Sequence, residues 1–171
     1  MVKIRKNSAY QSLERPYTRI SKFTTQNFVR GGFPHLKLTR FEMGDPRKKF
    51  ERTLLLTSLR AMNVRQNSLE AARMSSNRIL EKQLGNNYFF KVRVYPFHVL
   101  RENPLASGAG ADRMSQGMTL SYGKPVGVAA RVKMGQPLFE LRVNTEQMET
   151  AREALARAAT KLPCTCKVVV R

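Results

Sequence analysis

Catalysis needs groups that can exchange protons, attack, or hold a metal or phosphate. In this chain most such candidates crowd into one stretch, HVLRENPLASGAGADRMSQGMTLSYGK, from His98 to Lys124. Ser107, Ser115 and Ser121 could serve as nucleophiles, but the only nearby histidine is His98 and no spacing couples it to any of them. Glu102 and Asp112 could be named a carboxylate pair, yet nothing in their separation demands it. Asp112 beside Arg113 fits better as an ion pair that orders a loop through backbone hydrogen bonds. Gly108-Ala109-Gly110 begins like a dinucleotide fingerprint, but Arg113 stands where the third glycine belongs, and the run neither follows a strand tightly nor opens a helix. Gly123-Lys124 is followed by Pro125 rather than by the Ser or Thr of a phosphate-binding loop. Cys164 and Cys166, the only cysteines, lie two apart and share one face of a strand. With His35 and His98 the only histidines, the roughly four ligands of a metal site are not at hand. The cysteines read as buried reduced thiols, and neither a metal nor a cofactor is expected.

Charge points elsewhere. The 171 residues carry 31 Lys plus Arg against 12 Asp plus Glu, a formal net charge of +19. Self-repulsion of that size destabilises a compact chain unless a polyanion neutralises it, so the expected partner is nucleic acid or an anionic membrane. No apolar run approaches the ~18 to 20 residues that span a bilayer, and MVKIRKNSAY lacks the apolar segment of a signal peptide. The expectation is a soluble intracellular protein bound to nucleic acid, with neither a membrane nor a small-molecule substrate as partner. The 98–124 stretch then gains a different meaning. Gly108, Gly110, Gly117 and Gly123 among Ala106, Ser107, Ala109 and Ala111 make a long loop with little to anchor it, and such loops on rigid scaffolds carry function more often than stability.

The elements that must position this loop are legible in patches. From Met1 to about Pro34 the chain is a basic extension, with Lys3, Arg5, Lys6, Arg15, Arg19, Lys22 and Arg30 against the single acid Glu14. Tyr10, Tyr17, Phe23, Phe28 and Phe33 are interleaved with those charges. Cations neutralise phosphates and rings stack on unpaired bases, so the mixture suits folded RNA; a solvated tail is the alternative, and the aromatics favour ordering against a partner. Gly31, Gly32 and Pro34 end the extension, and residues 35–171 read as a single domain. HLKLTRFEMG alternates like a strand that stops at Gly44-Asp45-Pro46. Arg47, Lys48, Lys49 and Arg52 follow as candidate phosphate contacts or a solvated turn. TLLLTSL, Thr53 to Leu59, is continuously apolar and reads as a buried strand.

From Asn67 the period changes: Leu69, Ala72, Ser76, Ile79, Leu80 and Gln83 recur at helical spacing, with Asn67 and Glu70 in capping-box register and Gly85 as the stop. Tyr88, Phe90, Val92 and Val94 alternate with Lys91 and Arg93 as a strand, and Pro96 marks a bulge or edge before Phe97, Val99 and Leu100. After the loop, Val126, Val128, Ala130, Val132 and Met134 alternate with Arg131 and Lys133. Gly135-Gln136-Pro137 turns the chain into LFELRV as a hairpin partner. A second helix carries Met148, Ala151, Leu155, Ala158, Ala159 and Leu162, Pro163 ends it, and CTCKVVV closes the chain as a strand. Helices laid against an antiparallel-rich sheet define the α+β class.

YPFHVLR (Tyr95 to Arg101), GAGADRMSQGM (Gly108 to Met118) and GKPVGVAARVKMGQ (Gly123 to Gln136), preceded by LEAARMSSN (Leu69 to Asn77), together resemble the universal large-subunit ribosomal protein L-sixteen family. That family is called L-ten-e in its archaeal and eukaryotic branch. The resemblance runs from about Gly31 onward, with several separated motifs in order. The chain stops at Arg171 without the C-terminal extension of eukaryotic members, so an archaeal type is expected. The resemblance implies an α/β-hammerhead with a mixed, mostly antiparallel sheet, two packed helices and a long mobile loop. It also implies a noncatalytic role in the large subunit of the cytoplasmic ribosome: binding rRNA near the base of the central protuberance and shaping the tRNA cleft near the peptidyl-transferase region.

Large-subunit rRNA, tRNA and neighbouring ribosomal proteins are the implied partners. The loop from Arg101 to Met118 would reach toward the tRNA acceptor ends, with Arg101, Arg113 and Gln116 as contacts. Ser107, Gly108, Gly110, Asp112 and Lys124 belong to the same tRNA-proximal loop, where glycines permit close backbone approach. Lys91, Arg93, Arg131 and Lys133 would line the RNA-facing side of the sheet. A stand-alone RNA-binding factor or an RNA-modifying enzyme is the alternative.

Overall fold

The computed structural model describes residues 4–18, 21–23, 26–29, 32–103, 117–118 and 122–171. After a 3-10 turn at Asn7–Tyr10, the elements in chain order are β1 (Glu42–Gly44), β2 (Arg52–Ser58), β3 (Met62–Arg65), α1 (Gln66–Leu84), β4 (Phe89–Val92), β5 (His98–Glu102), β6 (Lys124–Val132) and β7 (Pro137–Val143). A second 3-10 turn at Thr145–Gln147 leads into α2 (Met148–Ala159) and then β8 (Cys166–Val170). The strands form two sheets, β1-β4-β7-β2-β8 and β3-β6-β5, and every pairing among the described residues is antiparallel. The α+β class expected from the order of elements is the class observed. No helix among the described residues is long and apolar enough to cross a membrane.

The main core lies between the two helices and one face of the larger sheet. Leu54 and Leu56 of β2, Phe139, Leu141 and Val143 of β7, and Phe90 and Val92 of β4 point into it at matched register. The Phe90 and Phe139 rings stack at 5.4 Å. Leu69, Ala72, Ser76 and Leu80 recur on one face of α1, and Ala151, Ala154, Leu155 and Ala158 on one face of α2, so each helix buries most of the stripe its periodicity predicts, with Ile79 half-buried and Gln83 exposed at the end of the α1 stripe. Full burial of each large aliphatic contributes about 1.5–3 kcal/mol. Small residues let the helices approach, and the buried Ser76 hydroxyl lies 3.0 Å from the carbonyls of both Ala72 and Ala154.

Several expectations are corrected. Residues 36–41 are not strand: β1 begins only at Glu42. The backbone upstream is held by a side chain, with Lys37 N–H donating to Gln66 Oε1 at 2.8 Å and Gln66 Nε2 donating to the His35 carbonyl at 3.3 Å. The capping box is absent, because α1 starts after Arg65 without a side-chain cap and Glu70 pairs with Arg73 instead. That pairing lets Arg73 lie buried, its guanidinium 3.1 Å from the Met43 sulfur. Gly85 does end α1, its N–H bonded to the Glu81 carbonyl at 3.2 Å. β6 and β7 are not hairpin partners: β6 pairs β3 and β5, whereas β7 pairs β2 and β4, so the turn at Gly135 passes the chain from one sheet to the other. Cys164 is buried and Cys166 half-buried; both are free thiols, with sulfurs 3.5 Å apart.

Candidate nucleic-acid interface

The long loop leaves from the end of β5 and returns at the start of β6. These strands pair with each other down to Glu102 opposite Lys124, so both roots of the loop are fixed by one ladder. Arg101 ties the roots further: its guanidinium donates to the carbonyls of Tyr122 and Met118, each at 2.7 Å, and lies 4.0 Å over the Tyr17 ring. Lys124 is exposed at the point of return. Ser107, Gly108, Gly110, Asp112, Arg113 and Gln116 lie outside the described residues, as do Lys3, Arg19 and Arg30 of the basic extension.

The described part of the extension lies on the smaller sheet. Tyr10 is buried against Leu100 and Ala129, and Val29 against Val99 and Val128. Gly127 of β6 makes room for Ile4, whose Cδ1 would stand 2.7 Å from a Cβ added there. The polar centre of this contact is Glu102, 7 % exposed, which accepts from the Tyr10 hydroxyl at 2.5 Å and from Arg5 Nε at 2.9 Å. Farther along, Tyr17 N–H donates to His98 Nδ1 at 2.9 Å, Val99 N–H to the Tyr17 carbonyl at 3.3 Å, and Asn63 Nδ2 to the Ser12 carbonyl at 2.8 Å. Burial, reinforced by Arg131, holds the His98 pKa below the ordinary imidazole value. Between extension and sheet opens a cleft of about 380 Å³, lined by Arg5, Tyr10, Arg15, Tyr17, His98 and Arg101 among others. Two of the aromatics expected to meet a partner, Tyr10 and Tyr17, therefore meet the domain's own sheet. Lys6, Arg15 and Lys22 stay exposed, with Arg5 half-committed to Glu102.

A second basic surface covers the outer face of the larger sheet. Glu140, 5 % exposed, sits between Arg93 at 3.1 Å and Arg142 at 2.6 Å, and Lys91 pairs across the β1–β4 ladder with Glu42 at 2.5 Å. Arg142 also lies 5.2 Å over the Phe89 ring. The carboxylates hold the cations in place while leaving a net positive face, a fixed-fork arrangement suited to phosphate oxygens. Arg131 is exposed on β6 opposite Asn63, and Lys133 follows β6 in the turn, so these two do not share a sheet face with Lys91 and Arg93. Arg47, Lys48 and Lys49 are exposed after β1, where Arg47 N–H is capped by Asp45 and Lys48 Nζ donates to Asn87 at 2.7 Å.

Sequence reasoning passed over Glu102 as a hub, Glu140 as a wedge and Gln66 as a brace. A signal for the first two was present: in a chain with only 12 acids, a glutamate inside an apolar strand, as in LFELRV, marks a position where cations must converge.

The family model for "Ribosomal protein L16p/L10e" matches residues 14–169. The chain is 44 % identical over 162 residues to a large ribosomal subunit protein uL16 of Archaeoglobus fulgidus, covering 94 % of this chain and 89 % of the relative. It is 44 % identical over 160 residues to the protein of the same name from Staphylothermus marinus, covering 92 % and 91 % of the two chains. The identity is 45 % over 159 residues with that of Picrophilus torridus, covering 91 % and 90 %.

Proposed function

The chain belongs to the ribosomal protein L16p/L10e family and is a structural constituent of the large ribosomal subunit, and from that premise we propose that it binds large-subunit rRNA near the base of the central protuberance and helps shape the tRNA cleft beside the peptidyl-transferase region. The role is noncatalytic, and the setting is the cytoplasmic ribosome. The observation that carries the tRNA part of this reading is the anchoring of the loop. β5 and β6 pair down to Glu102 opposite Lys124, and Arg101 donates to the carbonyls of Met118 and Tyr122, so the described ends of the loop are held by both backbone and side-chain bonds. The rRNA part rests on the net charge of +19 and on the carboxylate-braced cations Lys91, Arg93 and Arg142. On this reading Lys6, Arg15 and Lys22 of the extension, Arg47, Lys48 and Lys49 after β1, Arg131 on the smaller sheet and Lys133 in the turn that follows it are further exposed cations for rRNA.

Two experiments test the halves separately. Sedimentation of a lysate at moderate and high salt should leave the chain with the large subunit after washing. A chain that runs free at the top of the gradient would overturn the ribosomal placement and favour a stand-alone RNA-binding factor or RNA-modifying enzyme, since phosphate-dominated binding outside an assembled particle falls steeply with salt. Deleting Leu105 to Ser115 should preserve folding and incorporation while impairing translation. Loss of folding would show instead that the loop is structural.

A further inference from the structure

Where the chain crosses from the larger sheet to the smaller one, residues 93–97 alternate sharply: Val94 and Pro96 are buried, whereas Arg93, Tyr95 and Phe97 face outward. Phe97 N–H donates to the Tyr95 carbonyl at 3.1 Å, closing a γ-turn around Pro96. In a regular strand, residues two apart are separated by about 6.6 Å. The turn shortens that interval and brings the Tyr95 and Phe97 rings to 4.5 Å between centroids. Phe41 stacks on Tyr95 at 5.3 Å and 14°, and its backbone is pinned by Val92 N–H donating to the Phe41 carbonyl at 2.8 Å. The result is a ridge of three rings held by backbone bonds, yet Phe97 is 66 % and Tyr95 45 % exposed. Single exposed aromatics are ordinary, but a contiguous, preformed set marks a contact surface.

We propose that the Phe41–Tyr95–Phe97 ridge is a stacking platform for unpaired RNA bases, with Arg93 and Lys91 upstream on the same side meeting the attached phosphates. This rests on the ribosomal reading above and names one contact through which it works. Charge chooses the occupant. The ridge continues a row of cations already fixed by Glu140 and Glu42, and the partner that offers flat apolar faces at regular intervals along an anionic backbone is single-stranded RNA. The platform reads no sequence, because every base has a face to stack.

The test uses the full chain with two probes, a short single-stranded oligoadenylate and an RNA duplex of equal length, titrated over a range of salt. Phe97→Ala should weaken oligoadenylate binding roughly tenfold, with Tyr95→Ala acting likewise and Phe97→Tyr restoring it. Duplex binding should not change, since a paired base offers no free face. The slope of affinity against salt should also stay constant, because no phosphate contact is removed. Ultraviolet crosslinking of purified large subunits should place a nucleotide adduct on Tyr95 or Phe97. Variants that bind oligoadenylate as wild type does, while wild type binds both probes with steep salt dependence, overturn the platform and leave the ribosomal reading standing. A crosslink from the ridge to a neighbouring protein overturns it in favour of protein docking. A wild-type chain that binds neither probe overturns both.

Discussion

Tyr10→Phe removes one oxygen from the seat of the N-terminal segment and leaves the rest in place. The ring, 8 % exposed against Leu100 and Ala129, keeps its packing. What goes is a hydroxyl that donates to Glu102 at 2.5 Å and accepts from Arg5 N–H at 3.0 Å. Burial, with the Glu102 hydrogen bond adding to it, raises the pKa of this phenol above the ordinary value, so it remains a protonated donor across the neutral range. A hydrogen bond to a charged acceptor contributes about 1.5–3 kcal/mol net. The Arg5 ion pair to the same carboxylate involves a side chain 62 % exposed, and such pairs are worth at most about 1 kcal/mol. The variant should therefore hold residues 5–17 against the smaller sheet less tightly by about 1.5–3 kcal/mol, a roughly ten- to hundredfold larger opening constant. Two probes read that opening locally. Val99 N–H, bonded only when the Tyr17 carbonyl is in place, should exchange faster with solvent by that factor. Trypsin should cut sooner after exposed Lys6, which Asn7 follows. Rates that both match wild type would refute the Tyr10 hydroxyl as the anchor of this segment. A thermal midpoint of the whole chain that drops in step with them would show instead that the segment does not open on its own.

Two further outcomes follow from the same geometry. His98 must keep Nδ1 unprotonated to accept from Tyr17 N–H, and burial with Arg131 and Arg101, outweighing Glu14, holds its pKa below the usual ~6.5. As pH falls, the unfolded chain takes up this proton first, so the stabilisation is complete above roughly pH 6.5 and is lost as pH drops toward the folded value. His98→Asn, whose amide oxygen can accept the same N–H, should flatten the thermal midpoint between roughly pH 7 and 5, and a variant with the wild-type acid slope would refute this. Gly44 has φ +83° and no room, since an added Cβ would stand 2.0 Å from the Tyr88 carbonyl oxygen. Gly44→Ala should cost more than about 1 kcal/mol, lowering the midpoint by about 2–4 °C for each kcal/mol. Gly85→Ala, which meets nothing within 4 Å, is the control, and equal losses at the two sites would show that the contact with Tyr88 is not what matters.

What the sequence displayed was whatever is decided locally. The stripes of α1 and α2 were legible down to Ser76 and Leu155, and the apolar run of β2 was legible as a strand, although it buries alternate residues, Leu54 and Leu56, rather than the whole run, and leaves Leu59 exposed. What it concealed was decided at a distance. Residues 36–41 alternate as a strand should, but they are not part of a ladder: the Gln66 amide brackets the backbone at His35 and Lys37, and β4 meets the segment only at its end, where Val92 N–H donates to the Phe41 carbonyl. β3 escaped notice because Met62, Asn63 and Val64 are all buried, which erases alternation in a segment only four residues long. The turn at Gly135 looks like any hairpin turn; only the pairing of β7 with β2, about eighty residues earlier, shows that it changes sheets. Of the expected loop contacts, Arg101 is placed at the loop's root, bonded to backbone on the far side, a role that no spacing could reveal.

The two sheets are threaded through each other along the chain: β2 belongs to the larger, β3 to the smaller, β4 to the larger, β5 and β6 to the smaller, and β7 to the larger again. Neither sheet is a contiguous segment, so neither can be finished early during synthesis. β2 waits for Leu141 and Val168 to cover it, and Tyr10 waits for Leu100 and Ala129. Closing such distant contacts costs chain entropy before any contact compensates it, which slows folding and leaves strand edges open in the meantime. The basic leading segment emerges from the exit tunnel well before its own seat exists. During that interval Tyr10 and Val29, buried in the finished fold, have no surface of their own chain to cover them.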